Sequence, residues 1–393
     1  MRILMIWSEN LNKPGSGRTH FVHLARELAA LGHQVRIVAP GYRPRATDDL
    51  GVPVSYVPAG RRSVAAFLLF HLLLILGLPY LVLRYRPQVV YSRGLFHSFL
   101  VYVLCRLMGR PYVAEVNSIV DEEMAMRGRP VLAALIRCSD RLNLRWASAF
   151  VCVTGKLRAE LIRRGTAASR VVALHNGAAV DLFVPGDSAA ARDRLGLPRD
   201  VPLIGFVGTL AAWQGLDLLV EAAARLPREG SAWQTIIVGD GEMQPTLIEQ
   251  IATAQLADRV LLRPAVPHDQ VALYLQAIDV VVIPIHDPRK LRYGLSVLKF
   301  WEALSAGLPV LVPDDGDLGD VLAEMRWPGE YPTGDAQGLA STLVSTMGRL
   351  SELRTRRLEI HQRIRDGHSW RAVAQQTAEL FARLCSRRRG EAA

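Results

Sequence analysis

Residues 293–310 read as a loop, a helix expected from about Ser296, a stop at Gly307 and the beginning of an apolar strand at Val310. Lys299 and Glu302 are three apart, so they share a helical face near the N-terminus. An anion seated on the free N–H groups of that helix would have Lys299 beside it, while Glu302 could accept hydrogen bonds from sugar hydroxyls. Taken by itself the pair reads as a surface ion pair worth little.

Other segments point the same way. Gly15 and Gly17 lie in a loop between a strand ending at Trp7 and a helix from Thr19. Gly208 and Gly215 lie between a strand over Leu203–Val207 and a helix from Leu216. Glycines at such a junction let the backbone approach a ligand, and the helix N-terminus attracts phosphate. Two such loops, each after the first strand of its own sheet, would face each other across a cleft holding a phosphate-bearing ligand. Gly239-Asp240-Gly241-Glu242 reads more simply as a helix-starting turn.

A third group is placed at the carboxyl ends of strands in the first half: Arg93, His97 and Glu115. Glu115 or His97 could orient an acceptor hydroxyl or receive its proton. An Arg93–Glu115 ion pair across adjacent strands, with no part in chemistry, fits these residues equally well.

The elements that must position these groups follow from the apolar runs. Short runs alternate with amphipathic stretches along all 393 residues, the pattern of βα units around parallel sheets. The rhythm restarts near residue 203, and the chain is longer than one core usually grows, so two domains are expected. The turn-rich stretch 181–191 is the expected link, and Ser369–Leu384 is a final amphipathic helix.

Charge is uneven. Residues 1–180 carry 24 basic and 10 acidic side chains, and residues 181–393 carry 23 and 27. A basic half suits nucleic acid, an anionic membrane or a phosphorylated substrate, and no nucleic-acid module signature is present. The 4 cysteines form no CxxC pair and no zinc spacing, so neither a disulfide framework nor a metal site is expected. The first residues lack the layout of a signal peptide, and a reducing cytosol is the expected compartment.

Val64–Leu83 contains no charged side chain. Its length would permit a membrane span, but the strands expected on either side should share one sheet, which a span would forbid. A helix with one face in the headgroup region, Arg61, Arg62, Arg84 and Arg86 meeting anionic lipid, is expected in preference to a buried crossover helix, because no polar outer face is visible.

Taken together, the order and spacing of several segments resemble the retaining glycosyltransferases of family 4. They are the Gly15/Gly17 loop, His175-Asn176-Gly177, Gly208-Thr209 with Gly215, Gly239-Asp240-Gly241, Asp279–Pro284 and Glu302–Val310. The resemblance implies the GT-B fold: two Rossmann-like domains facing across a cleft, with a C-terminal helix crossing back to the first. The first domain would be 1–183 completed by 368–393, and the second 184–367. It implies that Glu302 binds the nucleotide ribose, that Gly208 and Thr209 offer backbone N–H groups to the diphosphate, and that Gly15 and Gly17 close on the same ligand.

Departures from the family pattern matter too. Gly294 stands where the usual motif has a glutamate. A subgroup instead carries a Ser-Pro-x-Lys-Leu-x-Glu motif, which Ser296 to Glu302 resembles with Val297 in place of proline. There the donor sugar would be held by backbone at Gly294, Leu295 and Ser296, with Lys299 as the nearby cation. Gln214 stands where the family has a diphosphate-binding lysine, and lost positive charge weakens leaving-group stabilisation.

The implied activity is transfer of a sugar from a nucleoside diphosphate donor to a hydroxyl with retained configuration, on a lipid-linked saccharide used for cell-surface polysaccharide or glycolipid. It needs no cofactor beyond that co-substrate and no metal. The implied location is the cytoplasm, peripheral on the inner face of the membrane through 61–86. The alternative is a catalytically weakened nucleotide-sugar-binding scaffold subunit of an assembly complex.

Overall fold

The computed structural model describes all residues except 13–14, 42–49, 59–63, 94–98, 228–232, 315–316 and 392–393; for 64, 65, 67 and 387–391 it describes the backbone alone. His97, Arg61 and Arg62 therefore lie outside the described residues, as do the side chains of the basic C-terminal tail. The chain forms two compact units, one of Met1–Asn176 with Trp370–Ala393 and one of Gly177–Ser369.

The first unit is built on seven parallel strands: β1 (Arg2–Trp7), β2 (Gln34–Gly41), β3 (Val54–Pro58), β4 (Val89–Arg93), β5 (Tyr112–Val116), β6 (Ala149–Cys152) and β7 (Val171–Ala173). Their order is β3-β2-β1-β4-β5-β6-β7. The strands were legible as apolar runs because a parallel sheet is covered on both faces. The order reverses at β1, which lies between β2 and β4 with Trp7 in register with Arg93. A doubly wound sheet binds its ligands at such a switch point, beyond the carboxyl ends of its strands.

The helix Ser16–Ala30 follows β1 and buries Phe21, Leu24 and Leu28. The final helix, Trp370–Glu391, returns to this unit and adds Val373, Ala374, Leu380 and Phe381 to the same core. Trp370 stacks on His23 with centroids 5.7 Å apart.

The helix Val64–Tyr85 joins β3 to β4. Phe70, Leu74, Leu78 and Val82, spaced by four, are buried, whereas Leu68, Leu72, Leu76, Tyr80 and Leu83 on other faces are exposed. By length and composition it could cross a membrane: over Leu68–Tyr85 the mean hydropathy is 1.9, and 22% of that stretch is buried. Its two flanking strands nevertheless belong to one sheet. The inner stripe satisfies that sheet, and the outer apolar face is left to solvent.

The second unit has six parallel strands: β8 (Leu203–Val207), β9 (Gln234–Val238), β10 (Val260–Arg263), β11 (Val280–Val282), β12 (Val310–Pro313) and β13 (Glu330–Tyr331). Their order is β10-β9-β8-β11-β12-β13, again reversing at the first strand. Ile204, Phe206, Val280 and Val282 enter one core, and Leu203, Val281 and Ile283 the other, as the alternation of a strand requires.

The units divide after Asn176, ahead of the turn-rich stretch. That stretch is a helix start packed within the second unit. The Asp187 carboxylate accepts from the N–H groups of Ala189 and Ala190, capping the helix Ser188–Leu195.

Candidate active site

In the second unit, β8 ends in a turn clamped by its neighbour. Gly208 donates its N–H to Val238 O at 2.9 Å, Leu210 donates to Asp240 O at 2.9 Å, and Met243 donates back to Leu210 O at 2.9 Å. The Gly239-Asp240-Gly241 turn does more than start a helix, since it grips the Gly208 turn edge to edge. This corrects one expectation. The Gly208 N–H is spent on β9 and is not offered to a ligand. Thr209 is exposed, and its N–H has no partner among the described residues.

The turn continues to Gly215, which starts the helix Leu216–Ala224 with φ 72° and no side-chain cap. A Cβ there would stand 2.0 Å from Pro284 O, two residues beyond β11, so both the backbone angle and the space demand glycine. Gln214, just before it, is buried.

The second component is the helix Leu298–Ser305, which starts two residues later than the sequence suggested. Its N-terminus has no side-chain cap; the Phe300 N–H donates to Val297 O at 3.2 Å, and the N–H groups of Leu298 and Lys299 have no partner among the described residues, so these two are open to a ligand. Gly294 adopts φ 77° in the loop before it, and Leu295 is buried.

Lys299 sits in the first turn of that helix and reaches the Gly208 turn. Its Nζ donates to Gln214 Oε1 at 3.0 Å and lies 3.8 Å from the centroid of the Phe206 ring. A Cβ on Gly208 would be 2.8 Å from that Nζ. Desolvation in this setting pushes the Lys299 amine down to about 7, with Glu302 opposing the change.

Glu302 is buried but for its edge, and its Oε1 is paired with Nε2 of His268 at 2.9 Å. That hydrogen bond holds the His268 imidazole above its ordinary value, against the effect of burial. Behind Glu302, Ser305 Oγ donates to Phe183 O at 2.6 Å and anchors the helix. Thus Gly208, Thr209, Gln214, Lys299 and Glu302 are gathered at the carboxyl edge of one sheet. Ser296 and Gly294 lie in the loop that leads into their helix.

The first unit has its own polar cluster. Glu115 accepts from Arg93 through Oε1, and from Tyr91 and His20 through Oε2, the latter at 3.0 Å. His20 Nδ1 pairs with Asn176 Oδ1 at 2.5 Å. Burial alone would raise the Glu115 carboxyl, but Arg93, His20 and Tyr91 hold it down at about 2. The Glu115 side chain is 0% exposed and that of Arg93 14%, so of the two it is Arg93 that retains access to a ligand.

Gly17 belongs to the same corner. A Cβ there would be 3.1 Å from the Trp7 ring and 3.8 Å from Arg93 Nη2. Gly15 precedes the helix Ser16–Ala30 with no cap. Sequence reasoning missed His20, Asn176 as its partner, and His268.

The glycosyl transferase 4-like domain family matches residues 15–177, and the glycosyl transferases group 1 family matches residues 187–329. Among curated proteins, the chain is similar to D-inositol 3-phosphate glycosyltransferase 2 of Catenulispora acidiphila. The two are 26% identical over 97% of this chain and 94% of that one. Among solved structures it is similar to sucrose-phosphate synthase from Thermosynechococcus elongatus, with a TM-score of 0.77 and 20% identity over 98% of this chain and 99% of that one. It is also similar to Anabaena HepE in complex with UDP, with a TM-score of 0.77 and 19% identity over 97% and 100%. At these identities the likeness to the solved structures is one of fold.

Proposed function

We propose that this GT-B glycosyltransferase, assembled from a glycosyl transferase 4-like domain and a glycosyl transferases group 1 domain, moves a sugar from a nucleoside diphosphate donor to a hydroxyl with retained configuration. The acceptor is a lipid-linked saccharide reached at an anionic membrane surface. The observation that carries the donor half is the convergence in the second unit of an uncapped helix N-terminus, Lys299 and Glu302 beside the Gly208 turn. The binding of UDP by HepE, a structural neighbour, supports the same donor class.

In this reading Glu302 takes the ribose hydroxyls through its Oε2, the helix N-terminus at Leu298 takes the diphosphate, and backbone at Gly294, Leu295 and Ser296 holds the sugar. The departing diphosphate helps deprotonate the acceptor on the same face, so no protein nucleophile, cofactor or metal is needed. Lowering the charge of the leaving group in a site of low dielectric is the main service such a site can give. In the first unit Arg93 orients the acceptor, and Glu115 and His20 act as positioning residues through it.

The membrane half rests on the outer face of Val64–Tyr85, with Leu68, Leu72 and Leu76 exposed and Arg84 and Arg86 at its end. Leu100, on the helix Phe99–Leu107, and Val131 and Leu135, on the helix Pro130–Trp146, are exposed apolar side chains of the same unit. An apolar face edged by arginines matches a headgroup region carrying anionic lipid; in this reading the enzyme works as a peripheral protein on the cytoplasmic side.

Thermal melting against UDP-, GDP- and ADP-sugars tests the donor half, since a ligand of the folded state raises Tm. One base is expected to stabilise the protein, E302A to abolish that effect, and donor hydrolysis to accompany it. Binding without turnover would favour the scaffold alternative, and no binding by any donor would sink the reading.

A further inference from the structure

We propose that Lys299, positioned by Gln214, is the side chain that neutralises the diphosphate of the donor in this chain. The inference rests on the donor reading above and names the group that supplies its charge.

Four observations carry it. The ammonium reaches the Gly208 turn, where the absence of a side chain leaves it access to whatever binds there. It springs from the first turn of an uncapped helix, so its charge and the helix N-terminus act on one place. Its hydrogen bond goes to a neutral amide, Gln214, which directs the amine without cancelling its charge. Glu302, the acid nearest in sequence, gives its Oε1 to His268 and makes no ion pair with Lys299 among the described residues.

Among the described residues, the cations between β11 and that helix each meet another group. Arg289 forks onto Asp287, Lys290 lies 5.3 Å over the Trp213 ring, and Arg292 lies 5.3 Å over the Tyr293 ring. His286 Nδ1 is 3.3 Å from Pro284 O, and its Nε2 is 4.0 Å from Asp217 Oδ2. A desolvated amine with no carboxylate paired to it among the described residues is costly to keep charged, and an arriving diphosphate removes that cost.

A consequence is that binding draws a proton from solvent onto Nζ once the pH exceeds about 7, the value to which burial lowers this amine. Among the described residues, the titratable and charged groups around it include Glu302 and His268 on the helix side, and Asp217, Asp240, Glu242, His286 and Lys290 around the turn. A sugar diphosphate is a diester with no titrating proton in this range, so it reports on the protein alone.

The test is calorimetric binding of UDP, GDP and ADP, and of the sugar diphosphate of whichever base binds, to the full chain and four variants. K299M is expected to weaken binding by about 10- to 100-fold, the worth of one charged hydrogen bond. K299R is expected to retain binding with a flatter pH profile, because a guanidinium stays charged. Q214K is expected to leave a K299M protein binding within a few-fold of wild type, by returning a cation to the same spot. Melting curves of the free proteins identify any variant that fails to fold, and K299R then decides.

If wild type binds no nucleoside diphosphate, the donor reading falls and this inference with it. If wild type binds and K299M binds equally well, or K299M/Q214K is no better than K299M, the Lys299 inference alone is wrong.

Discussion

Arg93 and Glu115 stand opposite each other on β4 and β5, and the guanidinium donates to a carboxylate whose side chain is wholly buried. Because the Glu115 carboxyl is held at about 2 against an ordinary 4.5, the folded state binds this proton more weakly than the unfolded chain does. The stabilisation is therefore fully present above pH 4.5 and is lost as pH falls from 4.5 toward 2. Its size is about 3 kcal/mol. Urea unfolding of E115Q at neutral pH is expected to show a loss of about 3–5 kcal/mol, the cost of leaving Arg93 and His20 facing a neutral amide. The variant should also show a shallower fall in stability in acid. Equal acid slopes for the two proteins would refute this.

Gly215→Ala makes a separate demand on the fold. The new methyl would meet Pro284 O at 2.0 Å in a backbone of φ 72°, and the left-handed angle alone costs about 1–2 kcal/mol. We expect a loss of more than about 2 kcal/mol on chemical denaturation, since the turn and the chain just beyond β11 must separate. Gly196→Ala, where φ is 64° and no atom lies within 4 Å, should cost only the backbone part.

These two cases show what the sequence made legible. The parallel strands announced themselves as apolar runs, and Lys299 and Glu302 as a helical pair, because both patterns are local. β13 was missed because it has two residues, one exposed, too few for any period to show. His20 could not be assigned to the cluster, since its partners Glu115 and Asn176 lie 95 and 156 residues away and only the sheet order brings them together. The Gly208 N–H was misassigned for a similar reason: whether it is open depends on the register of β9, which no reading of residues 203–215 contains. His268 was missed because a lone histidine at a helix start carries no signal until Glu302 is placed beside it.

Membrane association through Val64–Tyr85 predicts a clean separation of effects. Leu68, Leu72 and Leu76 are exposed, so changing all three to serine should move Tm little, each surface change being worth within about 0.5 kcal/mol. Flotation with vesicles containing anionic lipid should be lost. R84E/R86E should instead make residual binding insensitive to salt, because it removes the electrostatic part and keeps the apolar part. Wild-type protein that ignores anionic vesicles would dismiss this face as a lipid surface.

His268 and Glu302 give the last prediction. The hydrogen bond to Glu302 raises the His268 imidazole above its ordinary 6.5. A raised histidine contributes stability that is complete below pH 6.5 and fades as pH climbs through the folded value. In E302Q the partner is neutral, so the imidazole should titrate at or below its ordinary value when followed by NMR. The stability gap between wild type and E302Q should then be widest in mild acid and should close toward alkaline pH. Donor binding adds ribose hydroxyls to the same carboxylate and drains charge from it, so a saturating donor should lower the His268 titration in wild type and leave it unmoved in E302Q. A His268 titration that is identical in the two proteins would place Glu302 outside the interaction and remove its claim on the ribose.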